Sequence, residues 1–161
     1  FKDEKNDKFF ELEDFQLETD LELLIPDTYV NQIAERLSLY QELDEVKTKA
    51  ELNLYEKALI DRFGEIPEET KELLKTIELK WLSKQIGFKK IVLKQDTMIC
   101  YFTSDQQSSY FESDRFTNVL IYIQSNPRNC KMSERNNKLR LIFSSIKTIS
   151  QAIDNVRKIK L

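Results

Sequence analysis

The side chains that could do chemistry here are carboxylates and cations: 28 acidic and 25 basic residues in a chain of 161, with no histidine. Without imidazole there is no His-based triad and no His general acid or base, and mixed His/Cys zinc sites are all but excluded. Two glycines, Gly64 and Gly87, cannot build a GxxxxGK or GxGxxG phosphate cradle. Cys100 and Cys130 lack metal-type spacing and read as buried free thiols rather than a disulfide. A carboxylate pair can act as acid and base. With this many acids, however, adjacency arises by chance, and no pair stands out. The residues therefore assign no catalytic, cofactor-binding or metal site, and the chain reads as a non-enzymatic interaction domain.

One carboxylate sits in a poor place. In Ala58-Leu59-Ile60-Asp61-Arg62-Phe63-Gly64-Glu65-Ile66-Pro67, a helix ends, a joint follows and another helix begins. Gly64 is placed as a left-handed C-cap and Pro67 as a first-turn residue. Asp61 falls in the last turn, where the macrodipole disfavours negative charge. Either it is an exposed helix residue loosely paired with Lys57, worth about 0.3–0.5 kcal/mol, or something outside the helix uses the charge.

Net charge is −3 but unevenly spread. Residues 1–80 hold 22 acids and 11 bases; residues 81–161 hold 6 acids and 14 bases. In the basic half, Lys84, Lys89, Lys90 and Lys94 gather near Phe88. Arg128, Lys131, Arg135, Lys138 and Arg140 surround a second hairpin. Cations among aromatics can hold phosphates and stack bases, so a nucleic-acid-binding accessory module is the alternative function. The competing reading is a solvated basic face over core aromatics.

These residues need elements to hold them. Residues 1–14 read as a linker or frayed arm, and 15–161 as one domain of a longer protein. Alternation over 12–24 predicts an edge strand with acids on its wet side, ended by Ile25-Pro26. A first helix is expected over 28–45, capped by Asp27 or Thr28, with Val30, Ile33, Leu37 and Tyr40 inward and Ala34 and Leu43 widening the stripe. Thr48 and Glu51 form a capping box for a second helix, with Leu52, Tyr55, Leu59 and Phe63 inward. A third runs from Pro67 to about Ile86, with Leu73, Leu74, Ile77, Trp81 and Leu82 inward, closed by Gly87. Strands follow over 88–93 and 97–102, turning at 94–96. Ser113 caps a fourth helix with Phe116, Val119, Leu120 and Ile123 inward; strands over 129–132 and 138–143 flank a turn at 133–137; Thr148, with Gln151 in a capping box, starts the last helix, with Ile149, Ala152, Ile153 and Val156 inward. The fold class is α+β: a helical N-terminal half, then a small antiparallel sheet of hairpins and further helices. No apolar run is long enough for a membrane span and the first residues form no signal peptide. A cytoplasmic, membrane-free location is expected.

The ordered series Leu24-Ile25-Pro26-Asp27-Thr28-Tyr29-Val30, Arg36-Leu37-Ser38-Leu39-Tyr40, Lys47-Thr48, Glu51-Leu52, Leu59-Ile60-Asp61-Arg62-Phe63-Gly64 and Pro67 resembles the C-terminal domain of the bacterial transcription-repair coupling factor. The likeness covers about residues 15–93. It implies a parent protein that translocates on double-stranded DNA using ATP and Mg in motor domains elsewhere. That parent would release RNA polymerase stalled at a lesion and recruit nucleotide excision repair through UvrA. The C-terminal domain would be a non-catalytic regulator without cofactors. It would pack on the parent's UvrB-like module and mask the UvrA-binding surface. Asp61 matches an acidic clamp residue of the family, while Ala58 stands where the family has a second acid. Glu65, just past the joint, is the candidate to compensate.

Overall fold

The computed structural model describes residues 15–103 and 108–159. The arm expected over 1–14 lies outside the described residues. The chain divides into two compact units, Glu22–Glu78 and the remainder on either side of it.

In the first unit, helix α1 spans Ile33–Asp44 and α2 spans Lys49–Phe63; α3, Glu68–Ile86, begins here. The start of α1 differs from expectation. The carbonyl of Pro26 accepts from both Tyr29 and Val30 N–H at 3.0 Å, so residues 26–30 form a tight turn. Val30 is buried inside that turn rather than on the helix. Neither Asp27 nor Thr28 caps α1; Gln32 precedes it with no side-chain cap bond. Arg36 instead reaches back, donating to the Val30 carbonyl at 2.7 Å. With Val30 removed from the helical phase, the stripe moves. Leu43 is buried as expected and Leu39 joins it, whereas Ile33 and Leu37 are exposed by 67% and 58%.

The start of α2 is as read. Thr48 accepts from Glu51 N–H and the Glu51 carboxylate accepts from Thr48 N–H. Leu52, Tyr55 and Leu59 are buried and Phe63 is half-buried. Gly64 closes α2 at φ 87°, ψ −159°. This is not the left-handed helical cap expected but a mirrored extended conformation essentially confined to glycine. In α3, Leu74 is buried as expected, but Thr70, Leu79, Ser83 and Ile86 share the buried side, and Leu73, Ile77, Trp81 and Leu82 are half-buried.

In the second unit a five-stranded sheet has the order β1-β2-β3-β5-β4. The strands are β1 Gln16–Thr19, β2 Lys90–Lys94, β3 Thr97–Tyr101, β4 Cys130–Arg135 and β5 Lys138–Ser144. The α+β class stands, but the sheet is mixed: β1 joins the edge of β2 in parallel while the other pairings are antiparallel. Both hairpins turn on two residues with positive φ, Gln95-Asp96 and Asn136-Asn137, the geometry that matches strand twist. The longer turn expected at 133–137 is absent because Ser133, Glu134 and Arg135 pair with Arg140, Leu139 and Lys138.

Ile91, Leu93, Met98, Cys100, Leu141 and Phe143 make the buried face of this sheet. Helix α4, Asp114–Ser125, is capped by Ser113, and α5, Ile149–Arg157, by Thr148. In α4 the buried residues are Val119 and Tyr122, while Leu120 stays exposed; in α5, Ile149, Ala152, Ile153 and Val156 are buried as read. Cys100 and Cys130 are free and buried, and burial pushes both thiols up.

Candidate functional site

The joint that holds Asp61 is built from the sequence words before and after it. Tyr29 lies 15 residues or more from anything on α2, yet its hydroxyl donates to the Gly64 carbonyl at 2.8 Å and lies 3.2 Å from that of Leu59. Its ring packs on Phe63 with centroids 5.7 Å apart. Three similar ties surround it. The Ile25 N–H donates to the Tyr40 hydroxyl at 2.7 Å. The Tyr55 hydroxyl donates to the Leu39 carbonyl at 2.7 Å. The Thr70 hydroxyl donates to the Leu24 carbonyl at 2.8 Å. The bonds at Ile25 and Leu24 satisfy backbone groups in irregular chain that no helix or strand pairs, while the Tyr55 bond fastens α2 to α1. The segment 24–30 is thus laced to all three helices of this unit, and the joint is held rather than loose.

Asp61 lies where the helix reading put it, three residues from the end of α2. It is exposed and forms no ion pair among the described residues; the expected bond to Lys57 is not made. Neighbouring Arg62 is engaged elsewhere. Its guanidinium bonds Glu35 on α1 at 3.1 Å and lies 4.8 Å from the Phe63 ring centre.

Helical geometry says what accompanies Asp61. Leu52, Tyr55 and Leu59 define the inward side of α2. At about 100° per residue, Leu54 and Asp61 project within about 20° of each other on the opposite side. Leu54 is 67% exposed. Ala58, also exposed, lies beside them. This outer face therefore shows one large apolar side chain and one unpaired carboxylate.

Glu65 is somewhere else. It lines a groove of about 500 Å³ between α2 and α3, floored by Leu52, Ile66 and Leu74 and flanked by Ile60. Glu56 lines the same groove, and at its edge Lys49 pairs with Glu78 at 2.7 Å. Asp61 is not among the lining residues. The structure does not bring the two candidate acids onto one face. Sequence reading missed both Leu54, hidden among the helix's other leucines, and the groove. The signal for Leu54 was its seven-residue spacing from Asp61.

No group of three or more His, Cys, Asp or Glu residues suited to a metal occurs among the described residues. No helix among them is long and apolar enough to cross a membrane.

Residues 19–113 match the family model of the TRCF domain. The transcription-repair-coupling factor of Haemophilus influenzae is 39% identical over 80 residues, covering 47% of this chain and 7% of that protein. That of Bacillus subtilis is 31% identical over 99 residues, covering 60% of this chain and 8% of its own length. The chain thus spans less than a tenth of these two relatives. The crystal structure of a C-terminal domain of transcription-repair coupling factor superposes with a TM-score of 0.70 at 16% identity, covering 89% of this chain and 92% of that one. With the family model spanning more than half of its length, the chain belongs to the TRCF domain family.

Proposed function

We propose that this domain is the non-catalytic regulatory clamp of a transcription-repair coupling factor. It packs on the parent's UvrB-like module through the outer face of α2 and masks the UvrA-binding surface until released. The parent is a cytoplasmic, ATP-dependent translocase on double-stranded DNA that removes stalled RNA polymerase and recruits nucleotide excision repair. ATP and Mg act in its motor domains, outside this chain.

The observation that supports this reading is the exposed, unpaired Asp61 beside the exposed Leu54. An apolar anchor next to a carboxylate is a small docking face. The carboxylate suits an arginine, which can take it in a bidentate, charge-assisted pair. The weakness of such a face is an asset in a tethered clamp. A partner on the same polypeptide is present at about millimolar effective concentration. Roughly 4 kcal/mol of binding then holds the clamp half closed, and an engaged motor can release it. Glu65, at the groove rim, adds a second and weaker contact to a partner that wraps from the outer face toward α3.

The test uses the full-length coupling factor and its separate UvrB-like module. Asp61→Lys combined with Leu54→Glu should abolish association of this domain with the module and raise UvrA capture by the resting full-length protein. If domain and module never associate, and the double variant leaves UvrA capture unchanged, the clamp is refuted.

A further inference from the structure

The second unit has a charged face of its own. Strand register aligns Gln16, Lys90, Tyr101, Arg140 and Ser133 in one row across all five strands. Such neighbours project from the same face of a sheet. The opposite face carries Ile91, Cys100 and Leu141 and is buried. Beyond the row, toward the β4–β5 turn, Arg135 stands directly opposite Lys138, and Lys138 is two residues from Arg140. Lys89 adds a fifth cation where β2 begins. Together these residues line a cavity of about 440 Å³, with Gln16 and Asn136 supplying amides.

Three of these cations are not neutralised by a described residue. Like charges set directly opposite in a ladder repel, yet Arg135 and Lys138 are so placed. Arg135, Lys138 and Arg140 form no ion pair with a described residue. Arg140 donates to the Ser133 hydroxyl at 3.2 Å, and its Nε is buried without a hydrogen-bond partner. A carboxylate on this face, Glu18, bonds Lys90 at 2.9 Å and approaches Lys94 at 3.7 Å. It answers only the β1 side of the row.

We infer that this end of the sheet binds a single nucleic-acid strand, its backbone phosphates held by Arg135, Lys138, Arg140 and Lys89 and one base set against Tyr101. The aromatic ring at the centre of the row decides for a strand over a bare anion. A ring flanked by cations gives a base a stacking surface, and amides beside it reach base edges. A paired duplex keeps its bases stacked on each other and could offer this face only phosphates. This inference stands apart from the clamp: it uses another unit and other residues.

The experiment measures polarisation of a short fluorescent oligothymidylate titrated with the whole 161-residue chain. Three or four phosphate contacts predict a log–log salt slope of about −2 to −3, a loss of about 15- to 60-fold between 50 and 200 mM salt. Lys138→Gln and Arg140→Gln should each weaken binding several-fold and reduce the slope by about 0.7. Tyr101→Leu should weaken it about tenfold with the slope unchanged. Should Tyr101→Leu fail to fold, Arg135→Gln at the exposed end of β4 tests the same face. Lys147→Gln, an exposed cation outside the row, and Asp61→Lys should both leave binding as it was. Absence of binding at low salt would overturn the inference. So would equal losses in Lys147→Gln, duplex binding as tight as strand binding, or equal displacement by polyglutamate. Full competition by orthophosphate with Tyr101→Leu silent would replace the strand by a free anion.

Discussion

The two charged faces of this chain are made in opposite ways. The acidic face on α2 is sparse: one carboxylate and one leucine on the outer side of a helix whose inner side does the packing. Its chemistry is local, set by the angle between positions 54 and 61. The basic face is a product of topology. Lys90, Arg140 and Arg135 are brought together from positions far apart because β2, β3, β5 and β4 lie side by side. A sparse face suits a contact that must let go. A convergent one suits a ligand whose repeated charges meet several groups at once. The regions also differ in how backbone is fixed around them, and their two glycines expose that difference.

Gly87 and Gly64 both follow helices and both have positive φ, 114° and 87°. Only Gly87 is also walled in. A Cβ there would fall 2.2 Å from the Tyr110 ring, whose hydroxyl donates to the Ile86 carbonyl at 2.6 Å. Tyr110 cannot step aside freely, because it packs against Phe102, Phe111 and Phe116. Gly87→Ala should therefore cost about 3 kcal/mol or more, combining backbone strain with overpacking. Denaturant titration should show a large fall in midpoint and a loss of tertiary aromatic signal from the sheet unit. Gly64 has nothing within 4 Å of its would-be Cβ. Gly64→Ala should cost about 2 kcal/mol, from backbone strain alone. Equal losses at the two positions would mean that Tyr110 does not pin the second unit as its contacts indicate.

Much of this could be read from the chain, and the failures share a cause. The capping box at Thr48, the N-cap at Thr148, the joint at Gly64 and the inward face of α5 are local signals, each fixed within a few residues. The phase of α1 was misread because Val30 belongs to a turn held by the Pro26 carbonyl. A buried residue in a turn cannot be told from one on a helix by spacing. β1 was seen as an edge strand, but its parallel partner lies more than 70 residues away, and nothing local specifies that. The basic residues were all visible; which of them converge depended on strand order. Asp61 was located correctly, while its separation from Glu65 followed only from the groove between α2 and α3.

The hydrogen bond that joins α2 to α1 gives a smaller test of the same contrast. Tyr55 is buried and its hydroxyl serves the Leu39 carbonyl. Tyr55→Phe should cost about 1 kcal/mol, the net worth of one buried hydrogen bond to a helix carbonyl. Burial, and then the nearby Glu42 charge, push the Tyr55 phenol well above its ordinary value. Its folded-state proton is thus held more tightly than the unfolded one. This stability is complete below about pH 10 and is lost as pH rises beyond it, when the unfolded tyrosine ionises first. Burial raises Tyr110 in the other unit as well. Both units should therefore weaken in alkali, and Tyr55→Phe should reduce the alkaline loss of the helical unit alone, leaving there the part due to Tyr29, which burial also raises. A variant with an unchanged alkaline limb would show that Tyr55 is hydrated.

The smallest expected change is the most informative about function. Asp61 sits in the last turn of α2, against the macrodipole and without a cation among the described residues. A lysine there would favour the helix. Asp61→Lys should raise stability by about 0.3–0.5 kcal/mol, within reach of paired denaturant titrations. A solvated helix residue predicts that gain and nothing more. A clamp residue predicts the same gain together with loss of association with the UvrB-like module. Stability and binding then move in opposite directions, which neither general unfolding nor general loss of charge produces. Ala58→Glu sharpens the point, because it places a second acid beside Asp61 on the exposed side. It should tighten association several-fold if the outer face of α2 is the docking face, and leave it unaltered if the partner meets the groove that holds Glu65.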